Sequence, residues 1–146
     1  MTPYDAYVNT AKTGMTDREI EAEALTKAAL LLKSCQQSWD APDREQRLAE
    51  ALEFNQKLWT IFQASLSQPD HPMAPALRQD IMRLGLFIDN RIFEVMAYPE
   101  AGKLTAIIQI NQNLAAGLRT EVPASDSVRP SAYQMSEEPQ ESIVWA

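Results

Sequence analysis

Histidine and cysteine are the side chains most readily turned to acid–base, nucleophilic or metal chemistry near neutral pH. The chain has one of each, His71 and Cys35. His71 stands between Pro69 and Pro72, with no cluster of metal-spaced ligands and no serine or cysteine placed to pair with it as a nucleophile. It reads as a solvated loop residue. Cys35 falls on the inner side of a helical pattern, where it reads as a small buried hydrophobe rather than a reactive thiol. "EAGKLT", Glu100 to Thr105, lacks the first glycine and the spacing of a phosphate-binding loop. The carboxylates are scattered over helix exteriors and form no pair across a site. The pattern predicts no enzyme, no cofactor and no metal centre.

Two asparagines are more informative. In "QINQNLAAGLR", Gln109 to Arg119, the residues Ile107, Ile110, Leu114 and Leu118 share one helical face, and Asn111 lies within it. In "LEFNQKLW", Asn55 interrupts an apolar stripe in the same way. An amide buried without a partner costs about 1–3 kcal/mol, so each must be satisfied. Two arrangements do this. The amides can pair with each other, or with a freed carbonyl, and fix the register of two helices. Alternatively they line a groove and meet a bound helix. The aromatics Trp59, Phe62, Phe87 and Phe93 carry the same ambiguity between core and groove.

Charge narrows the partners. The net charge is −7, and Glu121, Asp126, Glu137, Glu138 and Glu141 against Arg129 place −4 of it beyond residue 119. No basic footprint offers itself to nucleic acid or to anionic lipid, so neither is expected as a direct partner. The first fifteen residues contain Asp5, Asn9 and Lys12 and no apolar run of the secretory type, and no run approaches the ~20 residues that span a bilayer. With a lone cysteine, these features predict a cytoplasmic protein that does not insert in membranes.

The elements that position these residues are helices. "TDRE", Thr16 to Glu19, matches a capping box and opens a helix running to about Ser38 or Trp39, with Ile20, Ala24, Ala28, Leu31, Leu32 and Cys35 inward. Asp40 and Pro42 start a second, about Ala41 to Leu66, striped by Leu48, Leu52, Leu58, Trp59, Phe62 and Leu66. Pro69, Pro72 and Pro75 break it, and Pro75 opens a third carrying Leu77, Ile81, Leu84, Ile88, Ile92 and Val95. Met82, Phe87, Phe93 and Met96 thicken its apolar side, and Gly85 costs about 1 kcal/mol of helix propensity, which points to close packing there. A fourth helix covers roughly Lys103 to Leu118. No sustained period-two alternation competes. The expectation is an all-α protein: an arm over residues 1–15, a compact bundle of about four helices over 16–119, and a disordered acidic tail over 120–146. The second and third helices are apolar on more than one side. Surplus apolar faces of this kind bind amphipathic partner helices.

"NQKLWTIFQASLSQPDHPMAPALRQDIMRLGLFI" followed by "INQNLAAGLR" resembles FlaF, a family of flagellar biosynthesis proteins of alphaproteobacteria, and "YDAYVNTAKTGMTDREIEAEALTKAALLL" is similar to that family's tyrosine-containing arm and first helix. The resemblance spans about residues 4–119 and rests on the order of its pieces rather than on a catalytic signature. It implies a non-enzymatic role in flagellin production and export: a chaperone that binds the terminal helical segments of flagellin before secretion. It also implies a counterpart, FlbT, which restrains flagellin translation. The expected partner site is a groove near Trp59, Phe62, Ile88 and Phe93, with Asn55 and Asn111 bonding the bound helix or holding the walls in register. The alternative is a regulator of flagellin messenger RNA translation that acts through FlbT. The tail ends in "SIVWA", which could cover the groove, dock elsewhere or be idle.

Overall fold

The computed structural model describes residues 17–120, which fold into four α-helices and one 3₁₀ turn. These are α1 (Asp17–Gln37), α2 (Arg44–Leu66), α3 (Pro75–Ala97), the turn Ala101–Lys103 and α4 (Leu104–Thr120). Among the described residues there is no strand, and no helix is long and apolar enough to cross a membrane. The arm, the threonine of the capping box, and the tail with its "SIVWA" end lie outside the described residues.

Successive helices run antiparallel, and the side chains that join them show why. Arg47 near the start of α2 donates to Ser34 Oγ near the end of α1, while Asn55, two turns on, reaches back to Ala28. Arg78 on the first turn of α3 donates to the carbonyls of Leu66 (3.2 Å) and Gln68 (2.9 Å), capping the end of α2 with a cation where its dipole is negative. Lys103 does the same for α3, donating to the carbonyls of Tyr98 (2.7 Å) and Glu94 (3.4 Å). The fourth helix returns along the first: Gln36 donates to the Ala101 carbonyl at one end, and Arg18 to the Leu118 carbonyl at the other.

The most extensive pairing is between α1 and α4, the two helices furthest apart in sequence. Small residues allow it. Ala22, Ala24, Ala28 and Ala29 of α1 and Ala115 of α4 are buried, so the backbones approach closely with little side-chain entropy lost. Larger residues fill the centre, with Leu25, Leu32, Trp59, Ile81, Ile88, Ile92, Leu104 and Ile107 fully enclosed. Outside this, α3 packs mainly on α2 and touches α4 lightly. Its five buried positions, Ile81, Gly85, Ile88, Ile92 and Val95, are spaced 4, 3, 4, 3, the interval of a single narrow seam. Gly85 faces Gln63, whose side-chain amide occupies the space a Cβ would take, so the glycine serves the α2–α3 approach.

Two boundaries differ from expectation. Helix α2 starts at Arg44 with Asp43 as its cap, not at Ala41 after Asp40. The backbone turns once first, with Ala41 N–H donating to the Ser38 carbonyl and Arg44 N–H to that of Ala41, and Arg44 stacks 4.5 Å over the Trp39 ring. The inner face of α1 is also rotated: Ala22, Leu25 and Ala29 are buried, whereas Ile20 and Leu31 are half-buried at its margin. Close contact with α4 favours the alanine-rich side.

Candidate functional site

The two asparagines are fully enclosed, both 0% exposed, and they meet. Asn111 Nδ2 donates to Asn55 Oδ1 at 2.7 Å. Asn55 Nδ2 in turn donates to the Ala51 carbonyl (2.9 Å) one turn earlier in α2 and to the Ala28 carbonyl (3.2 Å) of α1. The indole of Trp59 completes the chain, its Nε1 donating to Asn111 Oδ1 at 2.9 Å. One directional relay therefore runs from Trp59 through Asn111 and Asn55 to the backbone of α1, and it ties α1, α2 and α4 together. Hydrogen bonds in a dry interior are strong and polarise one another, and the penalty for breaking one is correspondingly large. Of the two arrangements open to the amides, mutual pairing is the one formed.

The other expected groove residues divide. Trp59, Phe62 and Ile88 are buried, with the Phe62 ring edge-on to Trp59 at 5.6 Å. They build the core because the face of α2 that carries Trp59 and Phe62 turns toward α1 and α4, and Ile88 lies on the buried seam of α3. A groove open to a partner is therefore not lined by Trp59 and Ile88. Phe62 borders a small cleft between α1 and α2, together with Glu21, Leu25, Leu58, Ile61 and Ser65. Phe93 alone of the six expected residues is on the surface, 64% exposed.

Phe93 is not isolated there. Leu86 (63%) and Met96 (60%) are as exposed, and half-buried Met82 and Asp89 lie along the same face. The positions 82, 86, 89, 93 and 96 repeat the 4, 3, 4, 3 spacing of the buried seam one residue further on. Helix α3 thus carries two adjacent apolar stripes, one facing α2 and the other facing outward. In sequence, Met82, Phe87, Phe93 and Met96 read as one thickened apolar side that does not include Leu86. The doubled heptad-like interval was the signal that separates them. On the far side of the buried seam from this stripe, Arg91 donates to Glu94 Oε1 at 2.9 Å and to the Lys103 carbonyl at 3.1 Å, and its guanidinium lies 5.0 Å from the centre of the Phe87 ring.

Burial pushes the Cys35 thiol up, away from the reactive thiolate. His71 is pushed below its ordinary value by burial and by the nearby Arg78 cation, partly offset by Asp70, and its Nδ1 accepts from the Met73 N–H at 3.1 Å, which braces the loop. Among the described residues no three His, Cys, Asp or Glu side chains converge to hold a metal.

Glu21, in the α1–α2 cleft, is raised above the ordinary carboxylate value by burial and by Asp17, against the opposing pull of Arg18. The folded chain binds this proton more readily than the unfolded chain does. Stability from this group is therefore complete in acid, below the ordinary glutamate value of 4.5, and is lost as pH rises through the raised value. Glu21→Gln is expected to raise the melting temperature at neutral pH and to leave it nearly unchanged in acid. Thermal unfolding followed by circular dichroism at the two pH values checks this.

Among the described residues the protein is a helical bundle locked by a buried polar relay, with an exposed apolar stripe on one helix. The family described as Flagellar protein FlaF matches residues 3–118, and the chain belongs to that family. It is therefore a flagellar protein. No curated protein and no solved structure matches the chain.

Proposed function

We propose that this protein binds flagellin in the cytoplasm before export, and that the outer stripe of α3 accepts an amphipathic helical segment from one of flagellin's ends. The observation that carries the proposal is the exposure of Leu86, Phe93 and Met96 in a row on one helix of a flagellar-family chain. Three large side chains left in water along a single face forgo burial worth about 1.5–3 kcal/mol each, and a partner helix recovers that. The acidic balance of the chain favours a protein surface over nucleic-acid phosphates. In this proposal Phe93 touches the partner. Asn55, Trp59, Phe62 and Asn111 act behind it, holding α2 and α4 in register, and Ile88 seats α3 against them.

The test is co-elution of flagellin with Phe93→Asp. The side chain is exposed, so stability is expected to change by no more than about 0.5 kcal/mol, while loss of the largest apolar contact of the stripe and a carboxylate in its place are expected to abolish flagellin capture. Flagellin retained in full by this variant overturns the proposal. FlbT captured from cells that lack flagellin, with no need for it, would instead support action on flagellin translation through that protein.

A further inference from the structure

The outer stripe of α3 contains one group that does not belong on an apolar face. Asp89 lies midway between Leu86 and Phe93, half-buried, with Met82 and Met96 closing the row on either side. Among the described residues it has no hydrogen-bond or ion-pair partner, whereas the other two acidic residues of α3, Asp80 and Glu94, are paired with Arg83 and Arg91. A helix packed along this row would cover the carboxylate and strip it of water, which costs far more than it returns unless a cation or donor meets it.

We infer that Asp89 selects the occupant of this face: an amphipathic helix from another protein, apolar at 3–4 residue spacing, with a lysine or arginine at its centre. Charge complementarity also decides against a second copy of this chain. Asp89 is the middle of five positions, with two apolar ones on each side. Any self-pairing that overlaps the full stripe, parallel or antiparallel, therefore sets carboxylate against carboxylate. Like charges opposed at a packed contact disfavour association, and a single polar residue in a seam is a known means of fixing the partner. The inference rests on α3 being the partner face proposed above, and it adds the chemistry of the helix that fits.

Two synthetic helical peptides serve as probes against the full chain, each about 20 residues long so that it can hold a helix. Both carry leucine at the four apolar stripe positions, and they differ only in a central lysine or glutamate. The lysine peptide is expected to bind about tenfold more tightly at low salt, with the ratio shrinking at about 1 M salt as the charges are screened. Asp89→Lys is expected to reverse the order, and Phe93→Asp to weaken both peptides. Sedimentation of Asp89→Leu, whose stripe is uninterrupted, is expected to show a dimer where the native chain is monomeric.

Equal binding of the two peptides, or an order that Asp89→Lys leaves unchanged, overturns the inference. So does a native dimer that Phe93→Asp dissociates. The two proposals fail separately. If Phe93→Asp keeps flagellin but loses the lysine peptide, the charge rule stands and flagellin is not the occupant. If Phe93→Asp releases flagellin and the peptides bind alike, the face is right and the charge rule is wrong.

Discussion

Asn111→Leu is expected to cost about 2–6 kcal/mol of folding stability, because it strands two polar groups at once, each worth about 1–3 kcal/mol when left unpaired in the interior. Leucine fills the space left by the amide but neither accepts nor donates. The Trp59 N–H loses its acceptor and Asn55 Oδ1 loses its donor, both out of reach of water. A loss of this size is a large part of the 5–15 kcal/mol that holds a typical domain together. Urea unfolding of the native chain and the variant measures it directly. The relay adds a sharper test. Asn55→Leu combined with Asn111→Leu removes both ends of the central bond and leaves the indole N–H as the principal orphan. The double variant is expected to lose less than the sum of the singles, by about 0.5–3 kcal/mol. Strict additivity would mean that the two amides do not act as a unit.

Trp59→Ala is expected to be nearly as damaging, at about 3–5 kcal/mol, from lost burial and the cavity left among α1, α2 and α4. Trp59→Phe separates the ring from its polar handle. It keeps most of the packing, including the edge contact with Phe62, but withdraws the donor from Asn111 Oδ1, so about 1–3 kcal/mol is expected from the unpaired oxygen. The same urea titration ranks the three proteins, and a Trp59→Phe variant as stable as the native chain would show that the indole bond contributes nothing. Under the proposed function, either variant would also release flagellin if the bundle opened. Substituting Trp59 and Phe62 by polar residues is therefore not a test of the binding face, although apolar patterning alone makes it look like one. Phe93, exposed on α3, is the position at which the proposed binding can be tested apart from folding.

The contrast between Trp59 and Phe93 shows where local pattern stops being informative. Both are aromatic residues on amphipathic helices, at comparable spacing from their apolar neighbours. What buries one and exposes the other is which helices pack across that face, and this depends on contacts between α1 and α4 from 69 to 100 residues apart. The sequence carries a hint for α3, whose apolar positions fall in two registers rather than one, and Asp89 stands out once the second register is drawn. It carries no hint that Trp59 Nε1 meets Asn111, since fifty-two positions separate them and an indole finds an acceptor in many environments.

From the sequence by itself came the all-α class, four helices with ends within a few residues of those observed, the proline-broken loop, the odd placement of two amides and the family. Each depends on short-range physics: helical periodicity, the missing N–H of proline and the cost of burying an amide act within one or two turns. Tertiary structure alone decided that the amides satisfy each other, that Trp59, Phe62 and Ile88 serve the core, and that Leu86, Phe93 and Met96 of α3 are exposed. Those outcomes follow from which faces the helices turn to one another, set by the close alanine-lined fit of α1 against α4 and by the narrow seam of α3 on α2.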